Sequence, residues 1–153
     1  MVATEKKKTS LARAVFSGSL GNMLEWFDYG LYGYFAAIIS ADFFVADDPI
    51  VGLLLSFLVF GTGFLVRPIG GILIGAYADK HGRIKALTLT ILCMGVCTML
   101  MGCLPTYSQV GILAPILLTV LRLLQGLATG GEFGSSLTFI SEYGTPNNRA
   151  FLC

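Results

Sequence analysis

Apolar residues run in long blocks along this chain, and the polar residues between them are gathered into short clusters. The first block extends from about Ala14 to Ala41 and ends at Asp42, Asp47 and Asp48. The second, from about Pro49 to Tyr77, ends at the basic cluster Asp79 to Lys85. A third covers about Ala86 to Leu104, and after the uncharged turn Pro105 to Gln109 a fourth covers about Val110 to Glu142. Pro146, Asn147 and Asn148 then break the chain, Arg149 follows, and a fifth block opens near Ala150. About 20 apolar residues suffice to span a bilayer as a helix. The pattern therefore predicts an all-α membrane protein of about four transmembrane helices plus the start of a fifth. Residues 14–153 form the bundle, and residues 1–13 form a polar tail.

Details within the blocks refine this picture. The second block would be about 43 Å long as one helix, so it must tilt or protrude. Pro68 lacks the N–H that a helix interior needs and is expected to kink it. Gly71 and Gly75, and again Gly126, Gly130 and Gly134, recur at the four-residue spacing that lets helices approach closely. The opening residues hold Lys6, Lys7 and Lys8. A cleaved signal peptide is excluded, because the apolar run behind them is too long and contains two acids.

Composition agrees with a membrane class. Hydrophobic residues make up 55% of the 153 and charged residues 12%, against about 25% charged in a soluble domain. Mean hydropathy is +0.78. The net charge of +1 gives no ground for a nucleic-acid partner. Of the four cysteines, Cys93 and Cys97 lie four apart in an apolar run, which is neither a redox nor a zinc spacing. They are read as small packing residues. No metal and no cofactor is expected.

The charges inside the apolar blocks carry the candidate chemistry. Glu25 and Asp28 lie roughly 15 and 20 Å along the first helix, near the bilayer centre. They are three apart and share a face, which Asn22, Tyr29 and Tyr32 join at helical spacing; Met23, Phe27 and Leu31 point the other way. In the fourth block Arg122, Gln125, Thr129, Glu132 and Ser136 form a second polar stripe. Arg122 cannot shed its proton, so at that depth it needs an acid or a ring of acceptors, and Glu25 and Asp28 are at matching depth. Two neighbouring carboxylates do not ionise independently. The sequence does not decide their roles; the favoured assignment pairs Glu25 with Arg122 and makes Asp28 the proton carrier. Intramembrane charges mark ion or substrate paths more often than static pairs. Arg67 either snorkels to the interface or faces the bundle and pairs.

Lysine and arginine fall in alternate loops: Lys6, Lys7, Lys8 and Arg13, then Lys80, Arg83 and Lys85, then Arg149. By the positive-inside rule the N-terminus is cytoplasmic, and the loops at Asp42 to Asp48 and Pro105 to Gln109 face outward.

Three stretches carry a resemblance to the major facilitator superfamily, and within it to the metabolite:proton symporter family of proline/betaine, 2-oxoglutarate, shikimate and citrate carriers. GNMLEWFDYGLYGYF (Gly21 to Phe35) resembles that family's first-helix signature. RPIGGILIGAYADKHGRIKAL (Arg67 to Leu87) resembles the second-to-third-helix signature, in which Gly75, Asp79, Lys80, Gly82, Arg83 and Lys85 stand at the matching positions. RLLQGLATGGEFGSS (Arg122 to Ser136) resembles the fourth-helix signature. Ala150 departs from it, since a glycine usually follows the loop arginine. The resemblance implies the first part of a twelve-helix fold, an N-terminal fragment of a proton-coupled symporter of the inner (cell) membrane. Its partners would be a small organic acid or zwitterion, the proton, the lipid bilayer and the missing remainder of its own chain.

The resemblance further implies that Glu25, Asp28 and Arg122, with Asn22, Tyr29, Tyr32, Gln125 and Glu132, line the proton and substrate path. It implies a cytoplasmic conformational latch from Gly75, Asp79, Lys80, Gly82, Arg83 and Lys85, with Arg67 above it. Two other readings remain open: a self-contained four-helix module acting as an oligomeric exporter or structural protein, and a membrane-embedded enzyme with Glu25 and Asp28 as acid and base. The enzyme is disfavoured because the lone histidine, His81, lies in a loop and no nucleophile sits at the acids' depth.

Overall fold

The computed structural model describes the backbone of residues 11–143 and the side chains of residues 19–132 and Gly134. The lysine-rich tail through Ser10 and the expected fifth helix near Ala150 lie outside the described residues. The described chain is all helix and connection: α1 (Leu11–Phe43), α2 (Pro49–Leu65), α3 (Arg67–His81), α4 (Arg83–Gly102), the single turn α5 (Tyr107–Val110) and α6 (Leu113–Tyr143).

Local sequence explains where each helix starts and stops. Asp48 caps α2, its carboxylate accepting from the backbone N–H of Ile50 at 2.8 Å, and Pro49 occupies the first turn. There its missing N–H costs nothing. The same logic divides the second apolar block. Pro68 cannot continue the hydrogen-bond ladder of α2, and Val66 (φ −89°, ψ −7°) separates α2 from α3, whose first turn accepts the proline. The two segments together, Pro49–His81, still form one apolar stretch of 33 residues. Gly82 alone joins α3 to α4 at φ 96°, a conformation open to glycine. The uncharged turn after α4 is partly helical, as α5, and Gly111 at φ 60° separates it from α6.

Among the described residues, Pro49–His81, Arg83–Gly102 and Leu113–Glu132 are long and apolar enough to cross a membrane. The 33-residue α1 has the length, but Asn22, Glu25 and Asp28 interrupt its apolar run. The distribution of burial is that of a multi-pass membrane protein. Trp26, Phe27, Leu58, Leu65, Ile72, Leu92 and Met99 are exposed, while Glu25, Asp28, Ser56, Thr90, Arg122, Gln125, Thr129 and Glu132 are buried. In water such an arrangement would leave the apolar faces without a driving force for the fold. In lipid those faces are solvated and the polar groups seek each other.

Helix α6 is the hub and packs against α1, α2, α3 and α4. Its seam with α2 and α3 is nearly bare backbone: Gly126 lies on Gly63, Gly130 on Arg67, and Gly70 on Leu127. Gly71 joins this seam, as a Cβ there would stand 3.3 Å from the Gly130 carbonyl oxygen. The expectation for Gly75 is not met, because a Cβ there would meet open space. The seam follows Gly63, Arg67, Gly70 and Ile74, and helical periodicity turns Gly75 away from it. At one end of the bundle a small apolar core of Phe43, Val59, Ala114 and Leu118 closes the structure, with Met101, Leu104 and Tyr107 against it.

Candidate functional site

Two ion pairs stand one helical turn apart on α1. The deeper joins Asp28 to Arg122, with Nη1 to Oδ2 at 2.6 Å and side chains 11% and 5% exposed. Arg122 Nη1 also donates to Gln125 Oε1 at 2.8 Å. Gln125 Nε2 donates to Thr98 Oγ1 at 2.8 Å, and Thr98 Oγ1 donates to Asp28 Oδ1 at 3.3 Å. Three helices thus close a ring of four side chains around one carboxylate and one guanidinium. The ring has an aromatic wall: the guanidinium carbon lies 4.0 Å from the centre of the Tyr32 ring and 5.3 Å from that of Phe60. Tyr32 in turn is fixed by its hydroxyl, which donates to the Ser56 carbonyl at 3.0 Å.

The second pair joins Glu25 to Arg67 at 2.5 Å. Tyr29, one turn along from Glu25, donates its hydroxyl to the same carboxylate oxygen. Arg67 packs over Phe64, 4.4 Å from the ring centre, and over Tyr29 at 5.2 Å. A cavity of about 620 Å³ opens beside this pair, lined by Asn22, Glu25, Trp26, Arg67, Thr129 and Gly130 among others. Between the two pairs lies a cavity of about 20 Å³ bordered by both arginines, Asp28, Tyr29, Gln125 and Thr129. It is roomy enough for one water. The Nε atoms of both arginines are buried and have no hydrogen-bond partner among the described residues.

This geometry corrects one expectation and decides another. Arg122 pairs with Asp28 rather than Glu25, and of the two places open to Arg67 it takes the one that faces the bundle, paired with Glu25 and away from the loop group. Both follow from the glycine seam: with Gly130 resting on the Arg67 backbone, Arg67 stands beside α6 and reaches the nearer acid of α1. Arg122, two turns earlier on the antiparallel α6, meets the acid one turn farther along. Asn22 is exposed and lines the larger cavity. Glu132 is buried at 1% exposure, and neither of its carboxylate oxygens has a hydrogen-bond partner among the described residues.

The loop group stands apart. Asp79 and Arg83 pair at 3.1 Å across Gly82, while Lys80 and Lys85 are exposed. An exposed pair of this kind contributes at most about 1 kcal/mol, so it is easily made and broken. Thr98 and Ser56 are the polar members of the cluster that sequence reasoning missed. A threonine on a helix without charges gives little signal, although Thr90, Met94 and Cys97 do trace the buried face of α4. Cys93, Cys97 and Cys103 are free thiols, respectively half-buried, buried and exposed.

Comparison with known proteins now bears on what such a cluster serves. The model of the family described as "Sugar (and other) transporter" matches residues 14–153. The glycine betaine/proline/ectoine/pipecolic acid transporter OusA of Dickeya dadantii (strain 3937) is 40% identical over 142 residues, covering 93% of this chain and 28% of that protein. The proline/betaine transporter of Escherichia coli (strain K12) matches with the same identity and coverage. The citrate-proton symporter of Salmonella typhi is 44% identical over 138 residues, covering 90% of this chain and 32% of that protein. The chain thus spans about three tenths of the length of these relatives. No solved structure matches. A buried, charge-bearing helix bundle with lipid-facing apolar sides and a family match over nearly its whole length make this chain a member of the sugar (and other) transporter family, of the major facilitator type.

Proposed function

We propose that this chain forms part of a proton-coupled symporter for a small organic acid or zwitterion, working by alternating access. The observation that carries the reading is the closed ring around Asp28 and Arg122. A carboxylate held by a guanidinium away from water can exchange that partner for a proton. Protonation of Asp28 neutralises it, weakens the bond and releases a permanently charged guanidinium. Arg122 is then free to hold the carboxylate of a substrate, so loading of the proton and loading of the solute are linked. Arg67 and Glu25 repeat the arrangement beside the larger cavity, where Trp26 and Pro68 add apolar surface. The names of the relatives support the solute class, since they include transporters of betaine, proline and citrate.

On this reading the site lies near the midplane, and Asp79, Lys80, Gly82, Arg83 and Lys85, with Gly75 above them, form the conformational latch at the loop. A weak exposed pair suits a contact that must alternate. The test is solute uptake by a full-length transporter containing this chain, reconstituted in vesicles. An inward proton gradient should drive accumulation of a small organic acid or zwitterion, and a protonophore should abolish it. Uptake indifferent to the protonophore would remove proton coupling from the reading.

The orientation proposed is an N-terminus in the cytoplasm of the cell (inner) membrane, from the alternation of basic loops. Cys103, exposed at the far end of α4 from the basic loop, should then react with a membrane-impermeant thiol reagent applied to intact cells. A cysteine introduced by His81→Cys should not. The opposite pattern of labelling would invert the topology.

A further inference from the structure

Glu132 is the side chain that neither ion pair uses. It stands on α6 ten residues beyond Arg122, about 15 Å along the helix at 1.5 Å per residue. Its carboxyl fills the space over Gly21 of α1, where a Cβ would collide with Oε1. Gly21 is one turn from Glu25 on the same helix, on the side away from Asp28. The three acids therefore descend the contact between α1 and α6 in the order Asp28, Glu25, Glu132, toward the end of the bundle that carries the α3–α4 junction. The first two each hold an arginine. Glu132 is 1% exposed, and both its oxygens are without a hydrogen-bond partner among the described residues.

Among the described residues no cation is placed to neutralise it. On α1 the nearest ionisable group is Glu25, another acid. Helix α2 carries no ionisable side chain. Helix α3 supplies Arg67, engaged with Glu25, then half-buried Tyr77, and at its end Asp79, Lys80 and His81, all exposed. Helix α4 supplies Arg83, paired with Asp79, exposed Lys85, and the thiols Cys93 and Cys97. An ionised carboxylate enclosed without a cation or a donor costs many kcal/mol, and such a group takes a proton instead.

We infer that Glu132 is a proton-binding site distinct from the Asp28–Arg122 pair: a neutral carboxylic acid while α1 covers it at Gly21, and a carboxylate once α1 moves off α6 and water reaches it. The step is a simple exchange, with one proton taken up by the carboxylate on closure and returned to water on opening. Glycine at position 21 leaves the room in which the acid sits and makes the cover removable without breaking a bond. The site deepens the symport reading by adding a proton acceptor on the side of the basic loop, and it stands on geometry that the reading does not supply.

Infrared spectroscopy of the full-length protein in lipid bilayers at neutral pH tests this directly. The carbonyl stretch of a protonated carboxylic acid should be present in the wild type and lose one carboxyl's intensity in Glu132→Gln. Asp28→Asn should leave that component in place. An unchanged carboxylic-acid band in Glu132→Gln would overturn the inference. Should Glu132→Gln fail to assemble, Gly21→Ala supplies the same decision, because its methyl group displaces the Glu132 carboxyl. A shifted band supports the site, and an unshifted one refutes it. Failure of proton-driven uptake with the Glu132 component present would sink the symport reading alone, and proton-driven uptake with the component absent would sink this site alone.

Discussion

Asp28→Asn is expected to abolish proton-driven accumulation in a full-length transporter containing this chain, while solute exchange persists in part and loses the share of its pH dependence that Asp28 carries. The asparagine keeps the shape of the acid and can still accept from Arg122, but it cannot take up a proton. Arg122→Ala is expected to act on the fold as well. It leaves the Asp28 carboxylate buried with Thr98 as its remaining donor among the described residues, and breaking a buried pair in this way costs about 3–5 kcal/mol. Arg67→Ala should cost less, because the Arg67 side chain is 28% exposed against 5% for Arg122, and water can partly replace it at Glu25. In the double variant Asp28→Asn, Arg122→Gln no charge is left without its partner, so stability should recover in part while accumulation stays lost. Thermal unfolding of the purified variants and gradient-driven uptake are the two measurements. Uphill uptake of wild-type pH dependence in Glu25→Gln, Asp28→Asn would return both acids to a structural role. An Arg122→Ala protein no less stable than Arg67→Ala would contradict the ranking of the pairs.

The long apolar blocks and the polar stripes within them were legible because membrane helices announce themselves by length and by rare charges. Pro68 and Gly82 marked joints for reasons of backbone chemistry that hold in any context: one lacks an N–H, and the other tolerates φ 96°. The pairing of the charges was not legible. Helical rise converts residue number into depth, and at that resolution Glu25 and Asp28 are equally good partners for Arg122. What decides between them is the offset of α6 against α1 and α3, and that offset is set by backbone contacts of Gly63, Arg67 and Gly70 with Gly126, Gly130 and Leu127. Arg67 was ambiguous for the same reason. Its distance from the basic loop suggested an interfacial residue, but the break at Val66 begins a new helix at Arg67, beside Glu25. Thr98 was hidden for a different reason: a single hydroxyl on an apolar helix becomes significant only when Gln125 and Asp28 are brought to it.

The backbone seam that sets this offset should be the least tolerant surface of the chain. A Cβ at Gly126 would run into the backbone of Gly63, and one at Gly130 into the backbone of Arg67. Neither obstacle is a flexible side-chain tip that could swing aside, so α6 must move away from α2 and α3 as a whole. Added volume in a packed interior costs typically about 1–3 kcal/mol, and occasionally more. In lipid the loss weighs heavily, because close van der Waals contact rather than the hydrophobic effect holds the helices together. Gly126→Leu and Gly130→Leu are therefore expected to abolish stable assembly, read as loss of protein from the membrane or of a cooperative thermal transition. Gly126→Ala and Gly130→Ala should be intermediate. Gly95→Ala, where a Cβ meets open space, should be tolerated and serves as the control. A milder change at Gly130 has a second expected consequence, because displacing α6 from the Arg67 backbone alters which acid each arginine reaches. If Gly130→Ala assembles, proton-driven uptake should fall more than its stability does. Wild-type uptake in an assembled Gly130→Ala protein would show that the seam holds the bundle together without setting the register of the charges.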